Sequence, residues 1–428
     1  MAARIESDGE GAGISAAHAA PTQSCASLVD ETAPRYAGWR VVAACFLVAT
    51  ACWGFGLYSH GIYLAELQRL HGWRASAITG ATTAYYLLTA TLCVFVNDAI
   101  ARLGPRRVLL IGACCLSSAV ALLAAIDTLW QLYAVYFLMA VGSAAMHIGA
   151  ITNILGLWFD RQRGLAISLA LNGASSGGIL VAPALVMAIA AFGFAFAVVG
   201  AAALMLVILA PIVAAWVDWP PGRTTAPSGS VPKDKSPSAH WTRQKALRSP
   251  AFWSVAGPFA LALMAQVGFL VHQISLLGPA IGRTGAGLAV AVLTIASIIG
   301  RVALGVSALH LDLRIVTALL LLGQVAALAA MMTTSNAAAL FVACAVFGLS
   351  AGNVTSLPAL IIQREFEAAS FGLLIGLSTA IGQFTYAFGP SLLSIVRDAT
   401  GGYSAALALC AALELAAAGI ILMRRRHP

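Results

Sequence analysis

The sequence is poor in charge. Only 9% of its 428 residues are Asp, Glu, Lys or Arg, against about 25% in an ordinary soluble domain. A chain of this length with so little charge has no polar shell for a water-soluble globule. Acids are scarcer than bases, 16 against 24. The apolar runs hold no paired carboxylates, no HExxH zinc motif and no Gly-x-Ser-x-Gly elbow. An enzyme is therefore not expected, and neither is a metal or cofactor. The eight cysteines form no CxxC pair and no Cys/His metal spacing. Cys45, Cys52, Cys93, Cys114, Cys115, Cys344 and Cys410 fall in apolar runs, where a thiol acts as a small packing residue. Residues 1–34 are rich in Ala, Gly, Ser and acids and lack a basic segment followed by an apolar one. That excludes a cleaved signal peptide and suggests a disordered cytoplasmic tail.

What the chain has in excess is apolar length. It is 60% hydrophobic, with a mean hydropathy of +0.90. Runs of about 20 apolar residues are long enough to cross a bilayer. They fall near 39–60, 77–97, 107–126, 130–155, 164–187, 193–217, 252–277, 287–309, 314–334, 337–362, 371–396 and 403–423. The expected fold is all-α: a polytopic membrane protein with twelve transmembrane helices in two six-helix bundles. A Pro-, Ser-, Gly- and Lys-rich stretch at 218–250 reads as a cytoplasmic linker between the bundles at 35–217 and 251–428. A faint repeat supports the division. GLAISL from Gly164 matches GLLIGL from Gly372, and Pro183 and Pro390 follow.

The net charge of +8 follows a topology rather than a nucleic-acid-binding face. With a cytoplasmic N-terminus, 19 of the 24 Lys and Arg residues lie inside and only Arg69, Arg74, Arg283 and Arg397 outside. This is the positive-inside bias, and it places both termini in the cytoplasm. The expected location is the inner (plasma) membrane, as a monomer.

The remaining cation, Arg301, sits deep inside an apolar run, LAVAVLTIASIIGRVALGVSALHLDLR from Leu288. Arginine cannot shed its charge. Placing it in hydrocarbon costs between ~2.5 and ~17 kcal/mol. It must face a cavity, find a partner, or reach an interface. One reading is an anchor for an anionic substrate in a transport path; the other is a loop tether near the helix end. Ser297, four residues earlier, shares its helix face. Other polar candidates inside apolar runs are Tyr58, His147, Asn353, Gln383 and Tyr386. His147, His272 and Glu414 are candidates for carrying a proton, and His60 reads as interfacial.

Two loops carry family motifs. Asn97-Asp98-Ala99-Ile100-Ala101-Arg102-Leu103-Gly104-Pro105-Arg106-Arg107 resembles the G-x-x-x-D-R-x-G-x-R-R loop of the major facilitator superfamily. Arg102, Gly104, Arg106 and Arg107 match. Ala101 and Asn97 stand where Asp and Gly are usual, with Asp98 beside them. Gly305, His310, Asp312 and Arg314 form a degraded echo in the second half. The stretch from Trp158 to Gly178 resembles the fifth-helix motif of the monocarboxylate transporter branch through Trp158, Phe159, Arg161, Arg163, Ala166, Ala170 and Gly173. That resemblance implies that Asp98, Arg102, Gly104, Arg106, Arg107, Arg161 and Arg163 serve gating at the cytoplasmic face. It also implies that Arg301 binds a substrate carboxylate. Many members place an acid one turn before that arginine, and animal members a lysine on helix one; here those positions are Ser297 and Leu57.

The function expected is secondary transport of small, monocarboxylate-like organic anions, coupled to protons, by alternating access around a central site. The alternatives are a carrier of a larger organic solute (an aromatic acid, vitamin or drug) and a membrane solute sensor that does not transport.

Overall fold

The computed structural model describes residue 33 and residues 36–159, 161–220, 241–307, 311–367 and 370–423. The N-terminal tail, most of the linker, His310 and the last basic run lie outside them. Every regular element among the described residues is helical.

The chain opens with α1 (Gly38–Trp53), a π-helical segment Gly54–Tyr58 and α2 (His60–His71). Next come α3 (Ala75–Cys93), α4 (Val96–Leu103), α5 (Pro105–Leu122), α6 (Leu129–Met146), α7 (Ile148–Trp158) and α8 (Arg163–Ser176). A second π segment, Gly177–Val181, leads into α9 (Ala182–Phe192) and α10 (Phe194–Trp216). Beyond the linker lie α11 (Arg243–Arg248), α12 (Pro250–Ser307), α13 (Leu313–Thr333), α14 (Ala337–Val354), α15 (Leu357–Glu365), α16 (Phe371–Tyr386), α17 (Gly389–Thr400) and α18 (Ser404–Leu422).

Local chemistry explains several boundaries. Thr128 and Gln131 form a reciprocal capping box at the start of α6. Asp312 and Asn336 accept backbone N–H groups at the starts of α13 and α14.

By length and composition, nine helices among the described residues can cross a membrane, or ten if the pair α3 and α4, bent by 54°, counts as one span. The expected count of twelve is not reached by this measure, for two physical reasons. First, α12 has 58 residues, roughly 87 Å of helix, far beyond one bilayer crossing. It turns at Gly282, whose φ of 72° and ψ of 167° no α-helical residue adopts. Only glycine enters that region without strain. Second, α16 and α17 are each too short alone.

Helices before the linker pack mainly on one another, α1 on α8 and α5 on α6 and α10, while α12 packs on α14, α16 and α18. The two groups meet where α12 touches α2 and α9, and where α17 and α16 touch α3. Polar contacts across this seam gather at the end that carries Arg69 and Arg283. Glu66 pairs with Arg283 at 2.8 Å. Arg397 donates to Gln68 at 3.1 Å. The Ser76 N–H donates to Asp398 at 3.0 Å. Thr79 donates to Ser394 at 2.8 Å, and Thr83 bonds Ser391 at 2.7 Å. At the opposite, basic end the contacts of Arg106 with Asp218, Asn153 with Asn97 and Arg314 with Glu365 each join residues of one group.

Candidate functional site

The two π segments face each other across the first helix group. A π segment widens the helix and frees backbone geometry, and such segments concentrate at functional sites. The first ends in Tyr58. The second begins with Gly177 and Gly178, directly after Ser175 and Ser176. Gly178 is required by close approach. A Cβ there would lie 2.5 Å from Thr294 Oγ1 and 3.0 Å from the Tyr58 ring. Thr294 belongs to α12, so this glycine lets both helix groups meet at Tyr58. The Tyr58 hydroxyl interacts with Thr294 and lies within electrostatic reach of Arg301.

Arg301 is half-buried on α12. Its Nη2 donates to Ser297 Oγ at 3.4 Å and to Ser175 Oγ at 3.5 Å, on the other group. Both distances are at the weak limit for a hydrogen bond. Its Nε is buried without a partner. No carboxylate among the described residues pairs with it. A guanidinium that keeps donors open and has no counter-charge is set up to take an anion in bidentate fashion.

Of the sequence candidates, the structure brings together Arg301, Ser297 and Tyr58, with Ser175 and Thr294 beside them. Asn353 stands on α14 beside Gly352, where a Cβ would lie 2.4 Å from Ser297 Oγ. Its Nδ2 donates to Leu349 O at 3.0 Å, while its Oδ1 is buried and unpaired. Gln383 and Tyr386 lie on another wall, α16. Tyr386 meets Tyr86 edge-on at 5.4 Å. His147 caps the break between α6 and α7 and stacks on Trp53 at 4.8 Å, its Nδ1 unpaired.

The hydrogen-bond partners of His272 all belong to the second helix group. The ring is held between Tyr403 (3.1 Å), the Pro390 carbonyl (3.1 Å) and Ser394 (2.9 Å). Glu414 is fully buried on α18, and both its carboxyl oxygens lack partners.

The loop motif is partly engaged. Arg106 donates to the Val217 carbonyl at 2.9 Å and pairs with Asp218 at 2.7 Å. Gly104 carries a φ of 87° between α4 and α5. Asp98, Arg102, Arg107, Arg161 and Arg163 are exposed. A cavity of about 620 Å³ opens between α1, α9 and α10, but its lining is apolar and holds none of these candidates.

Two features escape a reading of the sequence alone. His60 is buried inside the first group among four tyrosines rather than at an interface. Arg314 is clamped by Glu365, fifty-one positions away.

Spanning helices, a seam between two groups and an unpaired arginine at that seam define a polytopic membrane carrier. The chain belongs to the Major Facilitator Superfamily, whose profile matches residues 44–390. Mouse Monocarboxylate transporter 11 is 27% identical over 406 residues, covering 90% of this chain and 87% of that protein. Its human counterpart is 27% identical over 407 residues, covering 90% and 82%. Among solved structures, a variant of the nucleoside transporter NupG overlays with a TM-score of 0.72 at 12% identity, covering 91% of this chain and 100% of that one. A bacterial homologue of the human lysosomal transporter Spinster, inward-facing and occupied, overlays with a TM-score of 0.67 at 13% identity, covering 91% and 96%.

Proposed function

We propose that this transporter carries small organic anions of the monocarboxylate type together with protons, by alternating access. The carrying observation is Arg301: a membrane-buried guanidinium with no acid partner, an unpaired Nε and only two weak serine contacts. The carboxylate would take the guanidinium fork. Ser175, Ser297 and Tyr58 would donate to the remaining lone pairs of its two oxygens, with Asn353, Gln383 and Tyr386 shaping the cavity. The likeness to proteins called monocarboxylate transporters supports this substrate class.

The chain would cross the membrane twelve times as two six-helix bundles, with the basic end cytoplasmic. The seam is then latched on the outer side by Glu66–Arg283, Gln68–Arg397 and Ser76–Asp398, so the described state faces inward. The two bundles rock about the central site. A proton carried with each anion makes the cargo neutral, so a complete cycle moves no net charge.

The test is uptake of labelled lactate and pyruvate into proteoliposomes, wild type beside Arg301→Lys and Arg301→Ala, with and without an inward proton gradient. Saturable, gradient-driven uptake by the wild type, lost in Arg301→Ala and strongly reduced in Arg301→Lys, supports the reading. Lysine keeps the charge but not the fork. A folded wild type that moves neither anion, or an alanine variant that transports normally, would sink it.

A further inference from the structure

The proposed anion site supplies no proton carrier, yet one group in the first bundle is arranged as if to take a proton. His60 follows the π segment that ends in Tyr58 and opens α2. It is 1% exposed, and both ring nitrogens are buried without a hydrogen-bond partner. Four tyrosine rings surround it: Tyr85 at 4.7 Å, Tyr136 at 5.2 Å, Tyr86 at 5.5 Å and Tyr63 at 5.9 Å. The Tyr86 hydroxyl is buried and unbonded as well; those of Tyr63 and Tyr136 interact with Ser59 and Thr82, and that of Tyr85 donates to Ser143 at 2.8 Å.

A neutral imidazole carries one donor and one acceptor. Leaving both unmade in a dry interior costs about 1–3 kcal/mol each. A purely structural ring at this place would be better replaced by phenylalanine. The close packing leaves no room for an organic solute, so the occupant must be very small. Protonation fits. The imidazolium has two N–H donors, the hydroxyl oxygens of the cage can accept them once the rings shift toward His60, and the tyrosine faces attract the cation.

The titratable neighbours are Tyr63 on its own helix, Tyr85 and Tyr86 on α3, and Tyr136 on α6; Cys52, Cys93 and Tyr386 stand behind them. No charged side chain among the described residues acts on His60.

We infer that His60, in its cage of Tyr63, Tyr85, Tyr86 and Tyr136, is the proton-binding site that couples this carrier to the proton gradient. This rests on the proton-coupled anion reading above. The proton comes from water on one side, binds an imidazole lone pair, and returns to water on the other; no other bond changes. One proton on His60 offsets one anion on Arg301, so loaded and empty carriers bear the same charge and a complete cycle moves none. The cage is placed to report its state to both sites. Tyr58 lies two residues before His60, and Tyr86 rests edge-on against Tyr386 of the second bundle.

The test uses full-length protein in proteoliposomes with lactate as probe. His60→Gln should keep lactate–lactate exchange within about threefold of wild type while losing gradient-driven accumulation by about tenfold or more. Tyr86→Phe, which removes one acceptor and keeps the ring, should retain exchange and move the pH profile of accumulation by about half a unit. Undiminished accumulation by His60→Gln overturns the inference.

A second readout needs no substrate. In nitrogen-15 NMR of histidine-labelled protein, the His60 signals, identified by their loss in His60→Gln or their displacement in Tyr86→Phe, should pass from neutral to imidazolium positions as the pH is lowered across the range that drives accumulation. Signals that stay neutral throughout overturn the inference even if lactate is transported. Signals that titrate uphold it even if lactate is not, in which case only the substrate class has failed.

Discussion

Two arginines thirteen positions apart on consecutive helices are treated in opposite ways. Arg314, at the start of α13, is satisfied on all three nitrogens. Nε and Nη2 take the two Glu365 oxygens at 2.7 Å each, Nη1 takes the Ile421 carbonyl at 2.8 Å, and Nη2 also reaches Ser254 at 3.0 Å. Arg301 has two serine contacts at 3.4 and 3.5 Å and nothing on Nε. Both cations are expensive to hold away from water. The protein neutralises one within its own structure and leaves the other open. The closed clamp is what a structural joint looks like, tying α13 to α12, α15 and α18. The open one has the features of a site whose partner arrives from outside.

The comparison breaks most sharply on stability. Arg314→Ala strands Glu365 and frees a helix-end carbonyl. Removing one partner of a buried pair costs about 3–5 kcal/mol. Glu365 keeps a quarter of its side chain exposed, so the lower part of that range is expected. Thermal unfolding in detergent should show a clear fall. Arg301→Ala should instead be neutral or stabilising, because it deletes an uncompensated cation, while transport is lost. Equal destabilisation by both substitutions would erase the distinction and return Arg301 to the role of a tether.

A finer test supplies the missing partner from within. Ser297→Asp puts a carboxylate one turn from Arg301, on the face where Ser297 Oγ already contacts Nη2. If the site awaits an anion, the built-in one competes, and lactate uptake should fall about tenfold, equivalent to about 1.4 kcal/mol. Unchanged uptake would mean that the anion binds elsewhere.

The contrast also marks what the sequence could reveal. Arg301 was legible because one charge in an apolar run is costly wherever it points. Ser297 was legible because helix spacing fixes its face. The spans were legible because bilayer thickness sets a length, and the turn at Gly282 falls in the gap expected between 252–277 and 287–309. The clamp on Arg314 was not, since Glu365 and the Ile421 carbonyl come from distant segments. The His60 cage was equally hidden: its tyrosines sit on three helices, and neither the Tyr85–Tyr86 pair nor Tyr136 signals by itself that they converge. Local physics speaks through the sequence, whereas convergence across helices needs the fold.

The smallest effect expected concerns a third arrangement, intermediate between the two. Glu66 is buried, with 4% of its side chain exposed, but its partners Arg69 and Arg283 are about half exposed, at 45% and 52%. Solvent therefore screens the pair that crosses the seam, and it is worth about 1 kcal/mol or less. If the proposed alternating-access cycle holds, a latch that opens in each turn should be weak, whereas the Arg314 clamp should be strong. Glu66→Gln should shift the balance toward opening by about fivefold or less. The reporter is Ile274→Cys in a background without the native cysteines, since Ile274 lines the small pocket beside Glu66 and Arg283 and is nearly buried. An impermeant maleimide should label it up to about fivefold faster in Glu66→Gln and in Arg283→Gln. Raised salt should speed labelling in the parent by a smaller factor, because screening weakens exposed partners first. Labelling rates indifferent to both substitutions and to salt would show that this end of the seam is held by its threonine–serine contacts, with the charges incidental.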